Sequence, residues 1–263
     1  MAKTTLDIPF FAMQIIGKRD EQEDSYGICY DFERDKSLTP NCFVLADGMG
    51  GHSGGSVASQ TAIDSVKLVV EGCDGFDDRT LRDALSAAND NIAECVRVNS
   101  DLEGMGTTLV VLVIIDGRAF WVSVGDSPLL CLDTSNELHL LNEDHSMRPV
   151  LDKMVESGVL TEDHPDYHKK VTQLRSALTG DNIDLYDLNT EGVLLVDSKY
   201  LLLSTDGLDS LSREEIKGVM LANEGGGPKV IANQLIDAID KKATKKQDNT
   251  TLIVIDSRVY KTV

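Results

Sequence analysis

The stretch Phe43-Val-Leu-Ala-Asp-Gly-Met-Gly-Gly-His52 begins as an apolar run and ends in an aspartate, glycines and a histidine. A carboxylate at the end of a buried segment is unfavourable unless something pairs with it. Glycine directly after the carboxylate lets the backbone turn and brings a carbonyl oxygen close to whatever the carboxylate binds. The stretch therefore predicts a buried strand that delivers Asp47 to a functional site.

The same design occurs twice more, in Leu201-Leu-Leu-Ser-Thr-Asp-Gly207 and, with the acid before the strand, in Asp248-Asn-Thr-Thr-Leu-Ile-Val-Ile255. Taken singly, each aspartate could be a strand-end cap or a turn former, which is the commonest role of an Asp-Gly pair. Three acids at the ends of apolar strands are a pattern that separate caps do not explain. As a set they favour a shared cation.

Length and composition are those of one globular unit. The chain has 263 residues and an apolar share of 41%, and no linker or repeat divides it, so we expect a single catalytic domain over residues 1–263. No apolar run approaches the roughly 20 residues that cross a membrane, and the N-terminus lacks a secretory signal. Five scattered cysteines are typical of reduced core residues. We expect a cytoplasmic monomer.

The charge is strongly negative, with 44 acidic and 25 basic residues and a net charge of −19. This balance disfavours nucleic acid and anionic membranes as partners. An anionic substrate would also be repelled, unless bound cations reverse the potential at the site. A solvated acidic surface explains most of the excess negative charge. It does not explain the acids that lie beside glycine at strand ends.

Apolar runs and hydrophobic periodicity predict the secondary structure. Asp116-Gly117 is a two-residue hairpin signal, so the strands on either side should be antiparallel. The predicted strands are Tyr26–Phe32, Cys42–Ala46, Thr107–Ile115, Ala119–Val124, Leu129–Leu132, Tyr200–Ser204 and Thr251–Ile255. The predicted helices are Ser56–Val70, Thr80–Val98, Val150–Ser157, one that Ser212-Arg-Glu-Glu215 caps and that runs to Ala222, and Pro228–Lys242.

The two long helices follow each other in the sequence, and most predicted strands lie next to an antiparallel strand. This pattern favours an α+β fold. We expect two stacked antiparallel β-sheets flanked by α-helices, a four-layer αββα sandwich. The strand ends that carry Asp47, Asp206 and Asp248 should then meet at one rim.

The acids at this rim are hard oxygen ligands, which suit Mg²⁺ or Mn²⁺. Two such ions roughly 3.5–4 Å apart can share a hydroxide and stabilise an in-line displacement. The upstream stretch Gly17-Lys-Arg-Asp-Glu-Gln-Glu-Asp24 adds two adjacent acids, and Arg19 lies four residues before the first of them. Arginine forms a fork that matches phosphate oxygens. The combination points to phosphoryl hydrolysis, although Arg19 alone could be a surface ion-pair partner.

In chain order the motifs resemble those of the metal-dependent serine/threonine protein phosphatases, the PPM or type 2C family, in their compact bacterial form. Each motif is weak alone, but together they span nearly the whole chain. They are Gly17-x-Arg19-x-x-Gln22-Glu23-Asp24, Ala46-Asp-Gly-Met-Gly-Gly-His52, Met105-Gly-Thr-Thr108, Val124-Gly-Asp-Ser127, Asp144-His-Ser146, Ser204-Thr-Asp-Gly-Leu208 and Asp248-Asn-Thr-Thr251.

The resemblance implies a role for each matched position. Asp47 would bridge two tightly bound Mn²⁺ or Mg²⁺ ions, and Gly48 would add its carbonyl. Asp206 and Asp248 would complete the first metal site. Glu23 and Asp24 would act through metal-bound waters, and Arg19 would hold the phosphoryl group. His52 would protonate the leaving alkoxide. Asp126 together with Asp206 would hold a third, looser metal. His52 could instead cap the helix that begins near Ser53.

The implied reaction is hydrolysis of phosphoserine and phosphothreonine in proteins by a metal-bridged hydroxide, and the implied partner is a cognate Ser/Thr kinase. Two alternatives stay open on the sequence: a catalytically weak phosphoprotein-binding adaptor of the same fold and a small-molecule phosphomonoesterase. Pro128 departs from the family pattern and could rearrange the loop that carries Asp126. His145 lies in a predicted structural turn, and His164 and His168 lie in a polar stretch that reads as an exposed flap.

Overall fold

The computed structural model describes residues 9–29, 41–50, 54–73, 75–77 and 79–260. Within them lie eleven strands and six α-helices. The strands are β1 Phe10–Ile15, β2 Asp24–Cys29, β3 Cys42–Met49, β4 Gly106–Thr107, β5 Leu109–Ile115, β6 Arg118–Val124, β7 Leu129–Asp133, β8 Leu138–Leu140, β9 Asp187–Leu194, β10 Ser198–Ser204 and β11 Thr250–Asp256. The helices are α1 Gly54–Gly72, α2 Thr80–Val98, α3 Arg148–Glu156, α4 Pro165–Lys170, α5 Arg213–Ala222 and α6 Gly227–Lys242.

The strands form two sheets. One has the order β1-β11-β10-β7-β8, and the other has the order β2-β3-β5-β6-β9 with β4 paired to β3. Every pairing between these strands is antiparallel. The Asp116-Gly117 turn joins β5 to β6 with φ values of 49° and 71°, as a two-residue hairpin of the primed type requires. The predicted hairpin is therefore confirmed.

The apolar core has three layers. One cluster lies between α1, α2 and the sheet containing β3 and β5, and a second lies between α5, α6 and the sheet containing β10 and β11. The third lies between the two sheets, where side chains such as Phe43, Leu112 and Leu203 are fully buried. Helix, sheet, sheet and helix thus stack in that order. This arrangement confirms the predicted four-layer αββα sandwich.

Several predicted boundaries differ from the structure. The strand predicted over 107–115 is interrupted at Thr108, because Thr107 pairs with β3 while Thr108 turns its hydroxyl toward Asp47. The strand predicted over 26–32 begins earlier, at Asp24, and its last three residues lie outside the described ranges. The helix predicted from Ser56 begins at Gly54.

Three strands and one helix were not predicted from the sequence. β1 has no alternation of apolar and polar residues, β8 has only three residues, and β9 contains Gly192 at a φ of 73°. α4 is a six-residue polar helix with no buried face. None of these segments carries the hydrophobic period on which a sequence prediction depends. Among the described residues, no helix has the length and apolar character needed to cross a membrane.

Candidate active site

The predicted acids meet at one end of the sandwich. A cavity of about 690 Å³ there is lined by Glu23, Asp47, Asp126, Asp206 and Asp248. Arg19 and Gly48 line the same cavity. Seven of the nine residues predicted for the site are therefore brought together by the fold.

Asp24 and Asp47 face each other across the β2–β3 pair, in register. The prediction that Asp47 ends its strand was wrong, because β3 continues to Met49 and there pairs with β4. Two neighbouring threonines hold this part of β3: the Asp47 N–H donates to Thr108 Oγ1 at 3.0 Å, and Thr107 Oγ1 donates to the Asp47 carbonyl at 2.9 Å. The backbone around Asp47 is thus fixed from the side of β4.

Two glycines allow backbone segments to approach one another beside the acids. A Cβ on Gly48 would collide with the carbonyl oxygens of Gly55 and Glu23, and one on Gly207 would collide with the carbonyl oxygen of Asn249. Only glycine fits these positions without moving the backbone. The glycine that follows Asp47 and the one that follows Asp206 are therefore explained by packing at the rim.

The loop that carries Arg19 and Glu23 is held by Asn249, which the sequence analysis did not single out. Asn249 Oδ1 accepts from the Glu23 N–H at 2.8 Å, and its Nδ2 donates to the carbonyls of Ile16 and Glu21 at 2.9 and 3.0 Å. Asn249 is 3% exposed. The signal in the sequence is its place between the predicted ligand Asp248 and an apolar strand, because an amide buried there requires partners.

The Arg19 guanidinium forms an ion pair with the Asp248 carboxylate. About half of the Arg19 side chain and a third of the Asp248 side chain are exposed, so the pair faces the cavity. The hydrogen bond to Asp248 raises the pKa of Arg19, and the charges of Glu23 and Asp206 act in the same direction. Arg19 therefore lies within reach of the acid cluster as a fixed positive charge.

The remaining acids of the cavity are protonated more easily than isolated carboxyl groups. Burial raises the pKa of Asp126 to about 7 and that of Asp206 to about 6, with repulsion from neighbouring aspartates as a further cause. Burial and then the charges of the surrounding aspartates raise the pKa of Asp47 well above its usual value. The pKa of Glu23 is raised by burial, which the nearby Arg19 partly offsets. The cluster is thus electrostatically strained as long as the carboxylates face only each other.

Asp24 lies behind the cavity wall and does not line the cavity. It is 4% exposed, and its Oδ2 accepts from Thr205 Oγ1 at 2.9 Å and Thr251 Oγ1 at 2.7 Å. Its Oδ1 is buried and makes no hydrogen bond to the residues that the structure describes. Burial raises the pKa of Asp24 to about 7. An acid in this position can act on a bound ion only through intervening groups.

Asp126 lines the cavity although Pro128 follows it two residues later. Asn142 fixes this loop by accepting from the Leu129 N–H at 2.7 Å and donating to the Ser127 carbonyl at 3.0 Å. His145 is fully buried, and its Nδ1 accepts from the Gly125 N–H at 3.2 Å. His145 therefore belongs to a structural turn that supports the Asp126 loop, in line with the sequence interpretation.

The donor set fits a hard divalent cation. Five carboxylates and adjacent backbone carbonyls offer only oxygen atoms, and Mg²⁺ and Mn²⁺ prefer such ligands while keeping several of their waters. In the described part of the chain, no three Asp, Glu, His or Cys side chains already form a closed ligand cage. Water molecules could bridge a bound ion and the carboxylates that do not reach it directly. A cation would also relieve the repulsion that raises the pKa values of the aspartates.

A family model described as protein phosphatase 2C matches residues 22–224, which is more than half of the chain. The chain belongs to the protein phosphatase 2C family. Its curated relatives include the serine/threonine protein phosphatase PstP of Mycobacterium tuberculosis, which is 30% identical over 75% of this chain. The protein phosphatase PhpP of Streptococcus pneumoniae is 30% identical over 68% of this chain and 72% of its own length. The match to PstP spans 40% of the length of that relative.

A solved structure supports the same assignment. The catalytic domain of PstP in complex with two manganese ions is 29% identical to this chain, with a TM-score of 0.73. The superposition covers 94% of this chain and 96% of that domain. This protein phosphatase 2C chain therefore shares its arrangement of sheets and helices with a domain that holds two metal ions.

The segment between α3 and β9 forms part of the cavity wall of this phosphatase 2C chain. Thr172, Leu174 and Arg175 line the cavity, and Arg175 donates to the Ser146 carbonyl at 2.7 Å. His164 caps α4, does not line the cavity, and is exposed. The prediction of an exposed flap beside the site agrees with these positions. His52 lies outside the described residues.

Proposed function

We propose that the chain hydrolyses phosphoserine and phosphothreonine in proteins, with Mn²⁺ or Mg²⁺ as cofactor. The observation that carries the proposal is the gathering of five carboxylates and Arg19 in one cavity. The two curated relatives are named as protein phosphatases, and the related PstP domain is described with two manganese ions. Bound cations also explain how a chain with a net charge of −19 attracts a phosphate.

Two ions would be held tightly. Asp47 would contact both ions, and the Gly48 carbonyl would add a further ligand. Asp206 and Asp248 would complete the ligands of the first ion. Glu23 and Asp24 would bind through water; for Asp24 this agrees with its place behind the cavity wall. When bound, these cations would polarise the phosphoryl oxygens and stabilise the charge that develops on the attacking and leaving oxygens.

Asp126 would hold a third and looser ion together with Asp206. Both side chains line the cavity, and the charge of Asp206 contributes to the raised pKa of Asp126, so the two carboxylates interact. A site with few protein carboxylates must fill most of its coordination positions with water and binds its ion weakly. Asn142 and His145 would keep Asp126 in place despite Pro128.

The residues of the chain have three tasks in this reaction. Arg19 binds two phosphoryl oxygens with its fork, and the loop held by Asn249 keeps it at the cavity. The half-buried acids place the phosphoryl group in a cavity partly shielded from water, where interactions between charges are stronger than in bulk water. His52, which the family motif places beside Asp47, would donate a proton to the leaving alkoxide of serine or threonine.

The wider assignment follows from the same proposal. One catalytic domain over residues 1–263 would act as a monomer on the products of a cognate Ser/Thr kinase. A cytoplasmic location fits the five cysteines, none of which forms a disulfide, because disulfides are rare in that compartment.

The test is hydrolysis of a phosphothreonine peptide with Mn²⁺, with Mg²⁺ or with excess chelator. We expect turnover with either metal and none with chelator. Asp248→Asn should lower kcat/KM by about a thousandfold or more, because it removes a ligand from the charge-stabilising centre. Asp240→Asn, an exposed position on α6, is the matched control and should retain parental turnover.

Full activity in excess chelator would overturn the proposed mechanism. A folded, metal-loaded protein that binds phosphopeptides without hydrolysing them would instead identify the adaptor. Equal or greater activity on a free phosphomonoester of low molecular weight than on any phosphopeptide would favour the small-molecule phosphatase.

A further inference from the structure

A second cavity of about 670 Å³ adjoins the acid cluster. The two cavities share Asp126, Thr172, Asp206 and Asp248, whereas Arg19 lines only the first. Their volumes are similar, and each is large enough for one or two side chains of a bound peptide. A substrate whose phosphoryl group lies at the acid cluster would therefore have neighbouring residues beside or inside the second cavity.

Three basic side chains line this second cavity, namely Arg148, Arg213 and Lys246. The side chains of Arg213 and Lys246 make no hydrogen bond and no ion pair with any residue in the described ranges. Burial lowers the pKa of Arg213, and the nearby charge of Asp209 acts in the opposite direction. Arg148 contacts Asp209 at 3.5 Å, and both side chains are nearly half exposed, so this ion pair is weak. These three cations remain available to a ligand.

Three cations elsewhere on the same half of the molecule form ion pairs. Lys199 contacts Glu224 at 2.9 Å, Lys217 contacts Glu137 at 3.1 Å, and Lys242 contacts Glu215 at 2.6 Å. In a chain with 44 acidic and 25 basic residues, acidic partners are abundant. Lys246 lines the second cavity without such a partner, and Arg213 experiences the charge of Asp209 without forming an ion pair with it.

The backbone that carries Arg213 and Lys246 is fixed although the two side chains are free. Arg213 is the first residue of α5, whose start is held by the Ser212–Glu215 capping box. Lys246 precedes Gln247, and Gln247 Nε2 donates to the Gly207 carbonyl at 2.8 Å. This bond joins the loop before β11 to the loop before α5, so the two cations belong to one wall.

The other walls limit what can bind. Glu143, Asp144 and Asp209 also line the cavity, so its charge is close to balanced apart from the acids of the catalytic cluster. Long-range attraction of anions is weak in such a cavity, and recognition depends on direct contact with the free cations. Pro128, Leu140 and Leu211 add apolar surface, which suits the methylene groups of a side chain.

We propose that the second cavity is a substrate subsite for an anionic side chain, either a carboxylate or a second phosphate, close in sequence to the phosphorylated residue. This inference rests on the proposed phosphatase function and names the class of phosphoprotein that it prefers. The Arg213 fork binds the anion in a bidentate manner, and Lys246 adds a point charge from the same wall.

The test is a set of phosphothreonine peptides that differ at one position, scanned over the four residues on each side of the phosphothreonine. That position carries Gln, Glu or a non-hydrolysable phosphonate analogue of phosphoserine. At one or more positions we expect kcat/KM to exceed that of the Gln peptide about five- to twentyfold, mainly through KM, since a charge-assisted contact is formed on binding. The Glu and phosphonate arms distinguish a carboxylate from a second phosphate.

In the double variant Arg213→Glu, Lys246→Glu, the ratio of kcat/KM for the anionic peptide to kcat/KM for the Gln peptide should fall to one or below. Lys241→Glu reverses one charge on α6, half of the charge change in the double variant, at a position outside this cavity, and should leave the ratio as in the parent. If the double variant does not fold, Arg213→Gln, Lys246→Gln removes the two charges without adding acids and should likewise abolish the ratio.

A ratio near one at every position in the parent, or the same ratio in the parent and a folded double variant, would overturn the subsite. Failure of the proposed function would look different: no metal-dependent hydrolysis of any peptide, including the Gln series. If the control Lys241→Glu also lost the preference for anionic peptides, the preference would be due to the overall charge of the protein. That result would also overturn the subsite.

Discussion

The two ends of the β2–β3 pair have opposite characters although they belong to one continuous ladder. At one end Cys29 lies opposite Cys42, and both are almost fully buried beside Ile28 and Phe43. At the other end, five residues along each strand, Asp24 lies opposite Asp47. The backbone pairing is the same throughout, and only the side chains change.

The difference separates stability from function along one pair of strands. The apolar end buries surface and stabilises the fold. The acid end has the opposite effect while no cation is bound, since burial raises the pKa of both aspartates and the charges of neighbouring aspartates raise it further. The apolar ladder keeps the two carboxylates together against their repulsion, which is the arrangement that a cation site requires. Substitutions at the two ends should therefore have opposite effects.

The largest effect is expected at the apolar end. Phe43 is fully buried between the sheets and contacts the Phe10 ring edge-on, with 5.6 Å between ring centroids. Phe43→Ala should lower the free energy of unfolding by about 3–5 kcal/mol, because it removes buried surface and leaves a cavity. Unfolding in urea measures this change. The turnover of the folded fraction should stay close to that of the parent.

Leu68→Ala is the control for this prediction, because Leu68 is 73% exposed on α1 and should change the free energy of unfolding by less than about 0.5 kcal/mol. If Phe43→Ala abolished turnover in protein that is still folded, stability and function would not be separable along these strands.

A smaller effect of opposite sign is expected at the acid end. The folded pKa of Asp24 is about 7, above its unfolded value, so its ionisation destabilises the fold. The penalty is absent below the unfolded pKa and is complete above pH 7. Asp24→Asn keeps the shape without the charge. In chelator, it should raise the free energy of unfolding by roughly 1–3 kcal/mol at pH 8 and by little at pH 4.

Urea unfolding of parent and variant at both pH values measures this difference, with Asp240→Asn as a control at an exposed acid. A variant less stable than the parent at pH 8 would show that the hydrogen bonds from Thr205 and Thr251 outweigh the charge.

The layers of the fold could be predicted because their elements carry the hydrophobic period over many residues. The α2 boundaries, Thr80–Val98, agree with the prediction for that reason. Asp47 and Asp206 were also found from the sequence, since Asp-Gly after an apolar run is a local pattern, whereas Glu23, Asp24 and Asp126 were identified through the family motifs. β9 and α4 were missed because tertiary pairing and a short polar cap define them, and neither leaves a period in the sequence.

What the sequence could not supply is the set of long-range bonds that positions the acids. Asn249 joins residues more than 225 positions earlier in the chain, and Asn142 reaches back to the loop of Asp126. A single amide side chain carries no spacing signal that names its partner. The motifs in the sequence predicted which acids share one cavity. The asparagines that hold the loops of these acids were recognised only in the structure.

Those supports yield the smallest predicted effect. Asn249→Ala removes three hydrogen bonds from the loop of Arg19 and Glu23 but leaves the ladder of β2 and β3 intact. In the proposed function Arg19 contacts the phosphoryl group in both ground and transition states, so a loosened loop should raise KM for a phosphopeptide about tenfold, with a smaller change in kcat. Steady-state kinetics at saturating Mn²⁺ measures both constants. Asn233→Ala, which removes a bond between Asn233 Nδ2 and the Lys229 carbonyl on α6, is the matched control and should leave KM unchanged. A loss confined to kcat would mean that Asn249 acts through the acid cluster and not through the loop of Arg19.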